Sequence, residues 1–163
     1  MELKFWKYCL VIACSAFALG GVANAASERP SKSHVSVHAK KHVKSKNGIK
    51  TAGIYSSVTF TWTDQRAGDC HMTGVLTLTS DGNAAWNATT KTDSTHSKDK
   101  WHESSIDIKD SSGAFLFGFG PWESPPMDSP PNGGNYNWNS AGTFSPTLLD
   151  RAATGTATSN ASC

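Results

Sequence analysis

Polar residues crowd one short stretch of this chain: Asp64, Gln65, Arg66, Asp69 and His71, beside Cys70. Two carboxylates, a guanidinium and an imidazole on one loop are the groups that grip a polar ligand. The same residues also build an ordinary turn, in which Asp64 and Asp69 accept backbone N–H groups and Arg66 pairs with one of them. A second group is Trp101-His102-Glu103, at the head of an alternating run. Strand alternation puts His102 on the face of Ser104, Ile106 and Ile108, pointing inward, with Trp101, Glu103 and Asp107 on the other face. An inward histidine beside a loop acid is the equipment of a general base. No serine lies in a nucleophile-elbow context, and Glu103 and Asp107 would stand about 13 Å apart along a strand, too far for a glycosidase pair. A third group is Trp122, inside a proline-rich segment, taken together with Trp101. Bare indole rings with polar neighbours stack on sugars or peptides, although Trp122 would equally well pin its loop to the domain.

The candidate binding residues are therefore Asp64, Arg66, Asp69, Trp101, His102 and Trp122. No catalytic residue and no cofactor is assigned. His34, His38 and His42 recur every fourth residue. On a helix they would share a face and could hold zinc. The β-branched Val35, Val37 and Val43 and the lack of a cap argue against a free helix, so no metal site is assigned.

These groups need a scaffold, and the pattern around them is that of strands. Val58, Phe60 and Trp62 alternate with threonines, as do Leu76 and Leu78; Trp86, Ile106 and Ile108, Phe115 to Phe119, and Tyr136 with Trp138 repeat the period of two. Such alternation, rich in threonine and aromatics, marks half-buried antiparallel strands. Ser80-Asp81-Gly82-Asn83 and Asp110-Ser111-Ser112-Gly113 sit between alternating runs and read as hairpin turns. The segment from Gly120 to Asn135 carries five prolines and reads as a long surface loop. Ser145-Pro146 opens a helical turn through Asp150. A last Thr/Ala-rich strand runs to Cys163. The fold class is all-β: an antiparallel meander of about seven or eight strands, closed as a barrel or as a two-sheet sandwich.

The chain divides at three places. Lys4 and Lys7, the apolar run Tyr8–Leu19 and Ala23-Asn24-Ala25 form a secretory signal peptide over residues 1–25. Cleavage after Ala25 leaves Cys70 and Cys163, which pair in an oxidising compartment and staple the last strand to the start of the domain. Residues 26–50 read as a basic, disordered arm or propeptide. Ser27 to Lys50 holds seven cations and one acid, whereas Thr51 to Cys163 holds six cations and eleven acids. So little apolar surface does not offset ordering entropy, and the arm is expected to add no core and to contact anionic surfaces. Residues 51–163 are one domain.

Thr61-Trp62-Thr63-Asp64-Gln65-Arg66-Ala67-Gly68-Asp69-Cys70, with Thr73-Gly74, Asp81-Gly82, Trp101-His102 and the terminal Cys163, resembles a family of small secreted bacterial proteins of unknown function over Ser56 to Cys163. The resemblance implies export and the Cys70–Cys163 pairing, and no activity. The expected function is a secreted, monomeric, non-enzymatic binding module. Its aromatic loop would meet carbohydrate, a cell-wall polymer or a host or competitor protein. The alternatives are a small hydrolase using His102 with a loop carboxylate, and a secreted inhibitor or effector.

Overall fold

The structure, a computed structural model, describes residues 31–46, 49–96 and 98–163. The signal peptide and its cleavage site lie outside the described residues. Among the described residues ten strands follow in order: β1 Ser31–His38, β2 Lys40–Lys46, β3 Ile49–Ala67, β4 Cys70–Thr79, β5 Asn83–Thr92, β6 Trp101–Lys109, β7 Phe115–Phe119, β8 Trp122–Glu123, β9 Tyr136–Thr143 and β10 Thr154–Ala161. They form two antiparallel sheets facing each other as a sandwich. One runs β1-β10-β6-β7, with the short β8 also on β6; the other runs β2-β3-β4-β5-β9. The choice between barrel and sandwich thus falls on the sandwich.

The turns form where the local chemistry puts them. Gly82, at φ 86°, joins β4 to β5, and Gly113, at φ 87°, closes the turn between β6 and β7. Both occupy the left-handed region that glycine enters without steric cost. Asp110 fastens the second turn by accepting from the N–H groups of Ser112 and Ala114 and from the Ser112 hydroxyl. Pro146–Arg151 is a short 3-10 helix with proline in its first turn.

The core lies between the sheets. Phe60, Trp62, Leu76, Leu78, Trp86, Ile106 and Ile108 are fully buried. Trp86 is its hub, with ring centroids 5.6 Å from Trp62, 6.1 Å from Trp138 and 6.0 Å from Trp122. A Cβ on Gly74 would run into the Trp86 ring, so the strand passing beneath that indole requires glycine there.

Two bulges change which side chains face that core. In β6, Ser159 of β10 stands opposite Glu103 and Thr158 opposite Ser105, leaving Ser104 as an extra residue. One inserted residue shifts every side chain before it to the other face. Trp101 and Glu103 therefore point inward, fully buried, and His102 points out. This corrects the inward His102 and the exposed Trp101 that strict alternation predicts. In β3, Thr63 and Asp64 together oppose Thr73, with Asp64 at φ 46°. Val58, Phe60 and Trp62 face inward before this bulge, and Gln65 and Ala67 after it.

The second correction concerns the basic arm. From Ser31 to Lys46 it is two edge strands, β1 on β10 and β2 on β3, with Ala39 crossing from one sheet to the other. The arm has few apolar residues, but the strands need few. Val35 and Val37 pack on the core, the Trp62 indole N–H donates to the Val35 carbonyl at 3.0 Å, and the Ser33 hydroxyl donates to Gln65 Oε1 at 3.4 Å. Backbone pairing with β10 and β3 supplies the rest. Removal of residues 31–46 is accordingly expected to lower the melting temperature by more than about 5 °C, a loss of order 1 kcal/mol or more. Scanning calorimetry of the truncated and whole chains checks this, and an unchanged transition would show that the two strands contribute nothing to stability.

Candidate functional site

Alternation along the second sheet buries Leu76, Trp86 and Trp138 and turns their neighbours to the outer face. Strand register then aligns those neighbours in rows. Thr73 of β4 lies opposite Thr89 of β5, which lies opposite Asn137 of β9. The next row is Val75, Asn87 and Asn139. Over the two rows opens a groove of about 400 Å³, lined by these six side chains together with Ala88 and Trp138. The Thr89 hydroxyl donates to Asn137 Oδ1 at 2.7 Å, which orients that amide so its NH₂ remains available to a ligand. A smaller cavity of about 100 Å³ shares Thr73 and Thr89 and continues toward Asp64, His71 and Lys91.

The far end is charged but internally compensated. Arg66, His71 and Lys91 stand side by side on β3, β4 and β5. The β3 bulge lifts Asp64 over this row, so its carboxylate takes the His71 Nδ1 at 3.2 Å and the Arg66 guanidinium at 3.4 Å. Asp93, just past β5, takes the His71 Nε2 at 2.8 Å and Lys91 Nζ at 3.3 Å. His71 is nearly buried, with a carboxylate at each ring nitrogen. The hydrogen bond from His71 and the charge of Arg66 hold the Asp64 carboxyl below the usual carboxylate range, and Lys91 does the same to Asp93. With a carboxylate at both ring nitrogens, the imidazole is held as a fixed strut between Asp64 and Asp93.

The residues singled out from sequence go to different places. Asp64 and Arg66 join His71 at the charged end of the groove. Asp69 lies in the turn between β3 and β4, where its carbonyl accepts the Asp93 N–H at 2.9 Å. The aromatic pair does not form a contact surface. Trp101 is fully buried, its indole N–H reaching Glu103 Oε2 at 3.3 Å, and half-buried Trp122 is stacked on Trp86 and Phe119. Trp122 pins the proline-rich loop, as do buried Met127, whose N–H donates to the Asp99 carbonyl, and the Tyr136 hydroxyl, which accepts the Asp128 N–H. His102, half-exposed, pairs with Glu123 at 3.0 Å, and Lys100 reaches the other oxygen of that carboxylate at 3.1 Å. Neither His102 nor Glu123 lines either cavity described above. His34 and His38, four apart on a strand, are about 13 Å apart, so the helical stacking that would gather their imidazoles is absent.

Sequence reasoning missed Asn87, Thr89, Asn137, Asn139 and Asp93. The period of two places Asn87 and Thr89 opposite in phase to Trp86, which is the available signal. Nothing local shows that β9 lies beside β5 and completes the groove.

Fold and site together define a small β-sandwich, closed by a disulfide between its sheets, with an uncharged hydroxyl- and amide-lined groove on one outer face. The chain belongs to the Family of unknown function (DUF6294), whose model matches residues 75–163. The matched stretch begins inside β4, so it holds Asn87, Asn137, Asn139 and Cys163 but neither Asp64 nor Cys70. No curated protein and no solved structure matches the chain.

Proposed function

We propose that this chain is an exported, non-enzymatic binding module that seats a neutral, hydroxyl-rich ligand, a saccharide, in the groove across β4, β5 and β9. The observation that carries this reading is the groove's lining: two threonines and three asparagines in register, with no unpaired charge among them. Asparagine and threonine side chains both donate and accept, which matches the alternating donors and acceptors of sugar hydroxyls. Export is supported by the signal-peptide pattern of residues 1–25 and by a disulfide, a bond that persists in oxidising compartments. The groove is preferred here to a hydrolase site built on His102, because His102 and Glu123 contact each other and line neither cavity.

Titration of isotope-labelled protein with neutral oligosaccharides, followed by amide chemical shifts, tests the proposal. The largest shifts are expected at Thr73, Asn87, Thr89 and Asn139. Asn87→Ala with Asn139→Ala should weaken binding by about tenfold or more, since each truncation leaves a ligand hydroxyl unpaired. Shifts confined to other faces, or affinity unchanged in the double variant, would defeat the groove as the site.

A further inference from the structure

The cations of this protein fall into two populations. From Thr51 onward, Arg66, Lys91, Lys98, Lys100 and Arg151 each sit in an ion pair with Asp64, Asp93, Asp128, Glu123 and Asp110 respectively. Only Lys109 of that region has no carboxylate partner among the described residues. Ser31–Lys46 is the opposite: five lysines, three histidines and no acid. Among the described residues none of Lys32, Lys40 and Lys41 has a carboxylate partner. Lys41 instead donates to the Asp150 carbonyl at 2.7 Å and covers the Tyr55 ring.

The fold gathers this charge. β1 is the edge of one sheet and β2 the edge of the other, and the single residue Ala39 joins them, so both edges lie on one side of the sandwich. Lys32, His34, Ser36 and His38 are exposed at alternate positions of β1, about 6.8 Å apart along the strand. Lys40 and His42 continue the exposed series on β2. Behind β1, the hydroxyls of Thr158 and Thr156 bond His34 at 3.0 Å and Ser36 at 2.8 Å, holding the row in place. The β10 residue opposite His38, Thr154, is also opposite Lys109, so that lysine shares a cross-strand row with His38, two strands in from the ridge.

We propose that β1 and β2 form a basic ridge that binds an acidic polysaccharide. A row of exposed lysines and imidazoles around the Ser36 hydroxyl, with no acid among them, fits a chain that bears periodic anions and hydroxyls of its own. A single-stranded nucleic acid would want aromatic platforms for its bases. Apart from imidazoles, the described side chains of the ridge offer only the Tyr55 ring, already covered by Lys41. Lysine on an edge strand also deters pairing between copies of a sheet. Glutamate would deter it equally well, so charge reversal separates guarding from binding.

The whole mature chain is titrated with polygalacturonate oligomers, with dextran as the uncharged polymer and poly(dT) as the nucleic-acid arm. Binding to polygalacturonate is expected, falling steeply between about 50 and 200 mM salt, as displaced counterions require. Lys32→Glu with Lys40→Glu should weaken it by at least about tenfold, and Lys32→Gln with Lys40→Gln by less, while Lys98→Glu, which changes net charge elsewhere, leaves it within about twofold. All the substituted side chains are exposed, so the melting temperature reports whether the variants keep the fold. The glutamine pair decides the matter if reversal does not. Equal affinity in both ridge variants, an effect of Lys98→Glu as large as theirs, or poly(dT) bound as tightly as polygalacturonate would overturn the proposal. None of these results depends on the groove, which takes neutral ligands on another face.

Discussion

Reducing the Cys70–Cys163 bond, or replacing Cys163 by serine, is expected to cost about 2–5 kcal/mol of stability. The bond joins the first residue of β4, in one sheet, to the end of the segment following β10, in the other. It therefore holds the two layers together at one end of the sandwich. The 93-residue separation between the cysteines makes the unfolded chain lose much of its freedom when they are linked. In the chain-entropy account that loop is worth between about 4 and 5 kcal/mol. Cys70 is fully buried, so the serine variant also leaves its sulfur without its partner. β10 lies between β1 and β6, and its last pairs, Ala161 with Trp101 and with Ser31, should open first. Urea unfolding with and without reductant measures the cost, and amide exchange identifies the strand that frays. Unchanged stability, or protection lost evenly over both sheets, would show that the bond does not staple β10.

Replacing Glu103 by glutamine is expected to raise stability at pH 8 by as much as about 3 kcal/mol. Glu103 has no exposed surface, and burial pushes its carboxyl from 4.5 up to about 7, against the hydrogen bonds from Trp101 and Ser159. The Ser159 hydroxyl lies 3.1 and 3.0 Å from its two oxygens. A carboxyl whose proton is held more tightly in the folded than in the unfolded chain favours folding while it stays protonated. Its contribution is complete below the unfolded value of 4.5 and is lost as pH rises from there through about 7. At about 1.36 kcal/mol per unit, the whole displacement is worth about 3 kcal/mol. Asp64, Asp93, Asp110 and Glu123 act in the opposite sense. Hydrogen bonds and neighbouring cations hold their carboxyls low, so their contribution is present above the ordinary carboxylate range and is lost as pH falls. Stability should therefore peak on the acid side of neutrality. Unfolding free energies measured from pH 4.5 to pH 8 should fall for the parent chain and stay level for Glu103→Gln. Parallel curves for the two would exclude Glu103 as the source.

Local pattern and tertiary context divide the explanation of this protein at identifiable residues. The period of two in Val58–Trp62, Leu76–Leu78 and Ile106–Ile108 is a property of a single strand with one buried face, and so is readable without its partner. The turns at Gly82 and Gly113 are equally local, because a left-handed residue in a two- to four-residue connection calls for glycine. The pairing of Cys70 with Cys163 followed from counting the cysteines that lie outside the signal-peptide pattern of residues 1–25.

A bulge, by contrast, belongs to a pair of strands. Ser104 is surplus only because Ser159 and Thr158 take Glu103 and Ser105, and that alone sends Trp101 and Glu103 into the core and His102 out. Lys40 to Lys46 and Ser31 to His38 carry too little apolar surface to fold by themselves. They become strands because β3 and β10 offer them open edges. The groove depends on β9 lying against β5 across a separation of about fifty residues, which brings Asn137 and Asn139 beside Thr89 and Asn87. By itself the sequence determined the all-β class and its hairpin turns, which rest on neighbours in the chain, and its cysteine pair, which rests on a count of thiols. Only the tertiary structure decided which faces those strands present and which distant side chains share a row, because register and strand order are set by partners far away in sequence.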